Sequence, residues 1–391
     1  MAYLFGNYRL AINHPDYFFG RGEMIAEIVK SPFEVRVILG ERRLGKTSTL
    51  NAIRWNLLKV ENQGMVRALP VLIDLQQEQP QSLDNFRYIL IERLKETILN
   101  PQMEKCLKFD LRQTYRRFLR QIEGGSASFF GNIELNVTNQ DRERELIHDD
   151  FSQDLVNTIS RLQTEKCQGI CVLLDGADYI VRQTWANDAW SYLRSLKDAD
   201  NSAIRSFLGL VLAGYRDLKD YHQTVGSPLF NIADIKWLST LNPEETKDLI
   251  NRRCEDGQCY PTEIFIERMI ELGGCHPFLT NQVLCTYLEN QHRNPPVSKS
   301  QLEGQLIQEL KGYFKTWWKE RFREDERKVY LVLVQEREIS AESLSEKIED
   351  LALGRIEDAL EILAGSGVIL KVNDDSYRIG SGLFEQWVRQ N

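Results

Sequence analysis

Residues 35–58 read VRVILGERRLGKTSTLNAIRWNLL. The centre of this stretch, Gly40-Glu41-Arg42-Arg43-Leu44-Gly45-Lys46-Thr47, fits the phosphate-binding pattern G-x-x-x-x-G-K-[ST] at every position. Val35, Val37, Ile38 and Leu39 before it form a short apolar run of strand type. Leu50, Ile53, Leu57 and Leu58 after it recur at the spacing of a helix with one buried face. Strand, glycine-containing loop and helix is the order in which a phosphate site is built. A polyanionic phosphate tail needs several backbone N–H donors converging on it, and Gly40 and Gly45 let the chain curl that closely. Lys46 would place a point charge between the terminal phosphates, and Thr47 would hold Mg²⁺ through its hydroxyl. The helix that follows would aim its positive end at the anion. The loop thus predicts ATP or ADP binding with Mg²⁺, with Gly40, Arg43, Gly45, Lys46, Thr47 and Ser48 as the contact set.

Working outward, further apolar strands are expected at Pro70–Leu75, Gly169–Leu174, Phe207–Ala213 and Ile235–Leu238, separated by helical segments such as Leu83–Leu99. This alternation predicts an α/β fold, a parallel sheet with helices on both faces. The strand at 169–174 ends at Asp175, an acid at the carboxyl end of a buried strand, which is the expected second half of the Mg²⁺ site. Arg216 follows the strand at 207–213 and is placed to see a terminal phosphate, because ligands of open α/β sheets sit at the carboxyl ends of the strands. Residues 101–166 read as an insertion, with a helical piece at Leu111–Ile122, a small hairpin at Gly124–Val137 and a helix at Asp149–Gln163.

From Asn242 the pattern turns helical. Asn242-Pro243-Glu244-Glu245 is a helix start with cap, early proline and a glutamate at the third position. Pro295-Pro296 marks a linker. Further helices, a strand at Val368–Lys371, a turn at Asp374-Asp375 and a strand at Tyr377–Ile379 predict a winged helix with Leu353–Ala364 as its recognition helix. The expected division is a core at 1–240, a helical lid domain at 241–297 and a winged-helix domain at 298–391.

The chain has 391 residues, 42% hydrophobic and 27% charged, with a net charge of −8. That balance argues against a global nucleic-acid footprint. No apolar run approaches the roughly 20 residues of a membrane span, and the N-terminus lacks the apolar core of a signal peptide. A cytoplasmic protein is expected. The seven cysteines are then free thiols, and their spacing gives no zinc site.

Taken together, Phe19-Gly20-Arg21, the GERRLGKTS loop, LLDGAD (173–178), AGYRDL (213–218), GSPLFN (226–231) and GGCHPFL (273–279) resemble the archaeal and bacterial ATPases of the STAND branch, relatives of AAA+ and origin-recognition ATPases. The resemblance spans about residues 17–290. It implies that Lys46 and Thr47 serve phosphate and Mg²⁺, that Asp175 serves the metal and that Arg216 senses the γ-phosphate. Phe19, Arg21 and Pro277 would fall near the base. One position departs from the family. Where relatives commonly carry a catalytic glutamate after the metal aspartate, this chain has Gly176, so slow or absent hydrolysis is expected. Asp178 could stand in only if its loop turns it inward.

Two functions remain in play. The first is a nucleotide switch acting on a protein partner or on further copies of itself, with Arg252 and Arg253 as candidate arginine fingers. Because nothing follows Asn391 in this sequence, its output is expected in a separate chain or in 101–166. The second is a DNA-handling ATPase gripping duplex through the winged helix. The charges of the presumed recognition helix, Arg355 against Glu357, Asp358 and Glu361, favour the switch.

Overall fold

A computed structural model describes residues 10–59, 67–100, 146–164, 167–198, 202–291, 293, 295–373 and 375–391. The helix expected at Leu111–Ile122, the hairpin expected at Gly124–Val137, and Asp374 of the expected turn lie outside the described residues. The chain forms two compact units. One takes the described part of 1–21 with 40–48 and 237–391, and the other takes 22–39 and 49–236.

The second unit is built on strands β1 (Val35–Leu39), β2 (Leu69–Asp74), β3 (Ile170–Asp175) and β4 (Leu208–Gly214). With β5 (Asp234–Trp237), which runs across the division between units, they make one five-stranded sheet in the order β2-β3-β4-β1-β5. The ladders β1/β4, β3/β4 and β2/β3 are all parallel. The sequence dictates this burial. All residues of β1 and β4 are buried, as are all but the last of β3, as a parallel sheet covered on both faces requires. Each Leu, Ile or Val removed from water there contributes about 1.5–3 kcal/mol. Arg36 interrupts the apolar run of β1 and is still only 4% exposed. It persists because Glu27, Glu34 and Asp234 surround its guanidinium, and a buried charge is tolerated only when paired.

The register sets where chemistry can occur. Leu39 pairs with Gly214, Ala213 with Asp175, and Asp175 with Asp74. The carboxyl ends of β1, β4, β3 and β2 therefore share one edge of the sheet, and the chain runs from Leu39 straight into the phosphate loop.

In the first unit the helix Pro243–Asp256 starts on the expected capping box. The Asn242 carboxamide oxygen accepts from the Glu245 backbone N–H at 2.8 Å, and the Glu245 carboxylate accepts from the Asn242 N–H at 2.9 Å. Helices Glu263–Gly273, Pro277–Gln291 and Lys299–Thr316 follow. The last of these is α-helical only as far as Thr316. It loosens into a π-helical turn at Trp317–Arg321, where Trp317 lies fully buried among Phe314 and Phe384. Helices Glu324–Glu336, Ala341–Lys347, Leu353–Ser366 and Gly382–Gln390 surround an antiparallel sheet in the order β6-β8-β7. Strands β7 (Ile369–Lys371) and β8 (Ser376–Ile379) are the expected pair. Strand β6 (Glu338–Ser340) was not expected, because its three residues include only one apolar side chain.

Candidate nucleotide site

In the first unit, the loop between β1 and the helix Lys46–Leu57 takes its shape from two positions in the left-handed region, Arg43 at φ 71° and Gly45 at φ 94°. Alternating conformations of this kind turn successive N–H groups toward one concavity, the geometry that receives an anion. The Lys46 ammonium donates to the carbonyls of Gly40 at 2.7 Å and Glu41 at 3.2 Å. Thr47 is half-buried in the first turn of the helix. The Ser48 hydroxyl accepts from the backbone N–H of Ile12 at 3.0 Å, which ties the N-terminal segment to the loop.

Arg21 clamps the loop from the side. Its guanidinium donates to the Leu44 carbonyl at 2.6 Å and to the Ser239 carbonyl at 3.1 Å, while its own backbone N–H donates to the Glu245 carboxylate at 3.0 Å. Burial pulls the guanidinium down to about 10, and Glu245 opposes that shift. At that value it remains charged at neutral pH. The neighbouring Phe19 packs, partly buried, against the apolar core of this unit.

The loop is also held by residues far along the chain. The Arg43 guanidinium lies 4.3 Å from the centre of the Phe278 ring and 5.7 Å from that of Tyr313. The Tyr313 hydroxyl donates to the Arg42 carbonyl at 2.8 Å, and the Glu41 N–H donates to the Gly365 carbonyl at 3.4 Å. His276 is fully buried and precedes the half-buried Pro277, the first residue of its helix. Its Nδ1 accepts from the N–H groups of Phe278 at 3.2 Å and Leu279 at 3.4 Å, so it serves as a helix cap. Burial first, then Arg21 and Arg43, holds its pKa down at about 3. Sequence reasoning missed Tyr313 and Gly365, and it took Phe278 only as part of the GGCHPFL stretch, with no contact to the loop. Nothing local signals them, because each matters only through a contact between segments distant in sequence.

At the sheet edge of the second unit, Asp175 is half-buried at the end of β3. Gly176 follows at φ 69°. Both Asp178 carboxylate oxygens accept from the Tyr215 N–H at 3.0 Å, and one also accepts from the Leu218 N–H at 3.2 Å. That geometry caps the first turn of the helix Arg216–Thr224. Arg216 opens the helix and is 9% exposed, with Asp220 at 3.7 Å. The Asp74 carboxylate, beside Asp175 in register, accepts from the Gln76 N–H at 3.0 Å and the Gln77 N–H at 3.2 Å.

Of the two candidate arginine fingers, Arg253 is buried over the Tyr17 ring, centred 5.0 Å away. Arg252 is more exposed and reaches Glu255 at 3.2 Å. Among the described residues no cluster of three or more His, Cys, Asp or Glu could hold a metal ion. The six cysteines there are free, Cys106 lying outside them. No described helix is long and apolar enough to cross a membrane.

No family model matches the chain, and no curated protein matches it in sequence. Solved structures do. The Walker-type ATPase PABY2304 of Pyrococcus abyssi aligns over 97% of this chain and 98% of its own, at 18% identity and a TM-score of 0.57. The ORC2 protein of Aeropyrum pernix, solved as ADPNP–ADP complexes, aligns over 94% and 91% at 12% identity and a TM-score of 0.47. DnaA of Aquifex aeolicus with bound AMPPCP aligns over 90% and 91% at 11% identity and 0.37. The fold is that of a P-loop NTPase, followed by a largely helical C-terminal region.

Proposed function

We propose that this chain is an ATP-binding molecular switch of the STAND or AAA+-like type, in which nucleotide in the loop at 40–47 sets the state of the segments that follow residue 240. The observation that carries this reading is the grip of those segments on the loop: Phe278 under Arg43, Tyr313 on the Arg42 carbonyl and Gly365 on the Glu41 N–H. A loop that only bound nucleotide would not need that grip. In this reading the division into a core at 1–240, a helical lid domain at 241–297 and a winged-helix domain at 298–391 is functional.

The hydroxyl of Thr47 and the carboxylate of Asp175 are hard oxygen donors that suit Mg²⁺. When bound, the metal would neutralise charge on the terminal phosphates. Lys46 exchanges the carbonyls of Gly40 and Glu41 for phosphate oxygens, and Arg43 and Ser48 complete the loop. Phe19, Arg21 and Pro277 flank the base, and Arg216 reads the γ-phosphate. Hydrolysis is slow, because Gly176 offers no general base, whose loss costs about a hundredfold to ten-thousandfold. The partner is a protein or further copies of the chain, in the cytoplasm.

The second reading, a DNA-handling ATPase, is disfavoured by one contact. Arg355 on the helix Leu353–Ser366 is engaged by Asp325 through two hydrogen bonds of 2.9 and 2.7 Å, so it brings little net charge to a phosphate backbone. Binding of labelled ATP to the parent and to Lys46→Ala tests the assignment. The parent is expected to bind and the variant to bind far more weakly, and equal binding would show that the loop does not hold the phosphates. A gel shift with duplex DNA at fixed salt, with and without nucleotide, separates the two readings. Specific retardation would favour the second.

A further inference from the structure

The helix Lys299–Thr316 and the π-helical turn after it, both in the unit that holds residues 237–391, carry lysines at positions 311, 315 and 319. A spacing of four residues sets side chains one above the other on a single helix face. Lys311, Lys315 and Lys319 are all exposed, and none pairs with an acid among the described residues. Glu309 and Glu320 flank the row without reaching its lysines, and Glu309 instead accepts from the Gln282 carboxamide at 3.3 Å. Gly304 and Gly312 lie on the same exposed face. Glycine is among the poorest helix formers, and a Cβ at either position would meet nothing within 4 Å. The fold itself gives no reason for glycine there, whereas a second helix laid along the face would, because glycine lets another backbone approach closely.

A face of opposite sign lies in the same unit, on the helix Leu353–Ser366. Glu357, Asp358 and Glu361 are exposed on it, and Glu357 and Asp358 pair with no cation among the described residues. Arg355, the one basic residue of that helix, is held by Asp325. Leu353, 42% exposed, and Gly354, whose built Cβ would also meet nothing within 4 Å, border the acids. We propose that the lysine row is a docking surface for a second copy of this chain, and that it receives the acidic face of that copy's helix Leu353–Ser366. This rests on the switch reading above and names its partner. A chain of net charge −8 repels its own copies at long range, so association needs a local reversal of sign. The lysine row supplies it. Charges of this kind govern specificity and association rate more than affinity, so the contact is expected to be weak and sensitive to salt.

The test uses the full-length parent, a basic-face variant (Lys311→Glu, Lys315→Glu and Lys319→Glu), an acidic-face variant (Glu357→Lys and Asp358→Lys) and an equimolar mixture of the two variants. Light scattering reads association with and without a non-hydrolysable ATP analogue, thermal melts read folding, and labelled ATP reads the nucleotide site. The parent is expected to associate, and to do so more weakly as salt rises from about 0.1 M to 1 M, over which the screening length falls from about 10 Å to 3 Å. Each variant alone is expected to melt and to bind ATP like the parent, and to lose association by about a hundredfold because like charges then face each other. The mixture is expected to regain it, since the lysines of one variant meet the acids of the other, and a damaged fold would not be rescued in this way. The inference is overturned if the parent stays monomeric at every salt and protein concentration, if either variant associates like the parent, or if the mixture stays dissociated. Retardation of duplex DNA that the basic-face variant loses while its association is unchanged would give the row to nucleic acid, and equally overturn the inference. Failure of the parent to bind ATP would defeat the switch reading alone, because association is read separately, and the two failures are thereby distinguished.

Discussion

At the scale of single residues, Asp178 separates what a spacing suggests from what a side chain does. Two positions beyond Gly176, it is the next acid in the chain after Asp175, yet its oxygens accept from the N–H groups of Tyr215 and Leu218. An aspartate that caps a helix contributes about 0.5–2 kcal/mol, and asparagine caps as well. Asp178→Asn is therefore expected to keep both stability and turnover, whereas Asp178→Ala lowers the unfolding free energy by about 1 kcal/mol. Denaturant melts and steady-state rates on the two variants check this. Loss of turnover in Asp178→Asn with an unchanged melt would make it the base. The phosphate loop was legible in the sequence because its chemistry demands fixed residue types at fixed local spacing. The pairing of Asp74 with Asp175 was not, because it arises only through the β2/β3 register, a long-range match that periodicity does not encode.

At the scale of elements, β1, β3 and β4 were readable as strands because a doubly covered parallel sheet requires unbroken apolar runs. Their order was not, since nothing local says that β4 lies between β1 and β3. The Asn242 box was readable for the opposite reason, being satisfied entirely within four residues. His276 at the start of the helix Pro277–Gln291 shows the limit of that logic. As a cap it is local, but its burial against Trp317, with ring centres 5.5 Å apart, is tertiary. Burial, with Arg21 and Arg43 nearby, holds its pKa at about 3, while in the unfolded chain histidine titrates near 6.5. Between those values the unfolded chain binds the extra proton and the native protein does not. The stability His276 contributes is therefore present in full above about pH 6.5 and declines as the pH falls toward 3. His276→Asn keeps a capping side chain and removes the titration. The variant is expected to start less stable at pH 7.5, with its deficit narrowing by at most about 1.4 kcal/mol per pH unit below 6.5. Urea melts at pH 7.5, 6.5 and 5.5 measure the slope, and parallel slopes would show that His276 does not set the acid limit.

At the scale of the whole molecule, a nucleotide can shift a conformational equilibrium only by its different affinities for the two states. The loop supplies a physical reason for such a difference. Lys46 is satisfied by the carbonyls of Gly40 and Glu41, and the adjoining Arg42 carbonyl is held by Tyr313. A phosphate that recruits the ammonium takes it from the carbonyls of Gly40 and Glu41, and if the loop shifts as a result the adjoining Arg42 carbonyl is drawn off Tyr313, so binding and the Tyr313 contact are expected to oppose each other. Tyr313→Phe deletes only the hydroxyl and leaves the ring beside Arg43. Because a hydrogen bond of this kind contributes about 0.5–1.5 kcal/mol net, ATP affinity is expected to rise by roughly fivefold. The same release should be visible from within. Trp317 lies 4.6 Å from Tyr313 between ring centres, so its fluorescence is expected to respond to a non-hydrolysable ATP analogue more than to ADP, and Trp317→Phe to abolish most of the response. Light scattering and limited proteolysis on the parent in the two nucleotide states then ask whether the change alters assembly or exposure of the chain. Different masses or cleavage patterns are the expected result. Identical mass, cleavage and fluorescence in both states, together with unchanged affinity in Tyr313→Phe, would leave a nucleotide-binding protein with no switch.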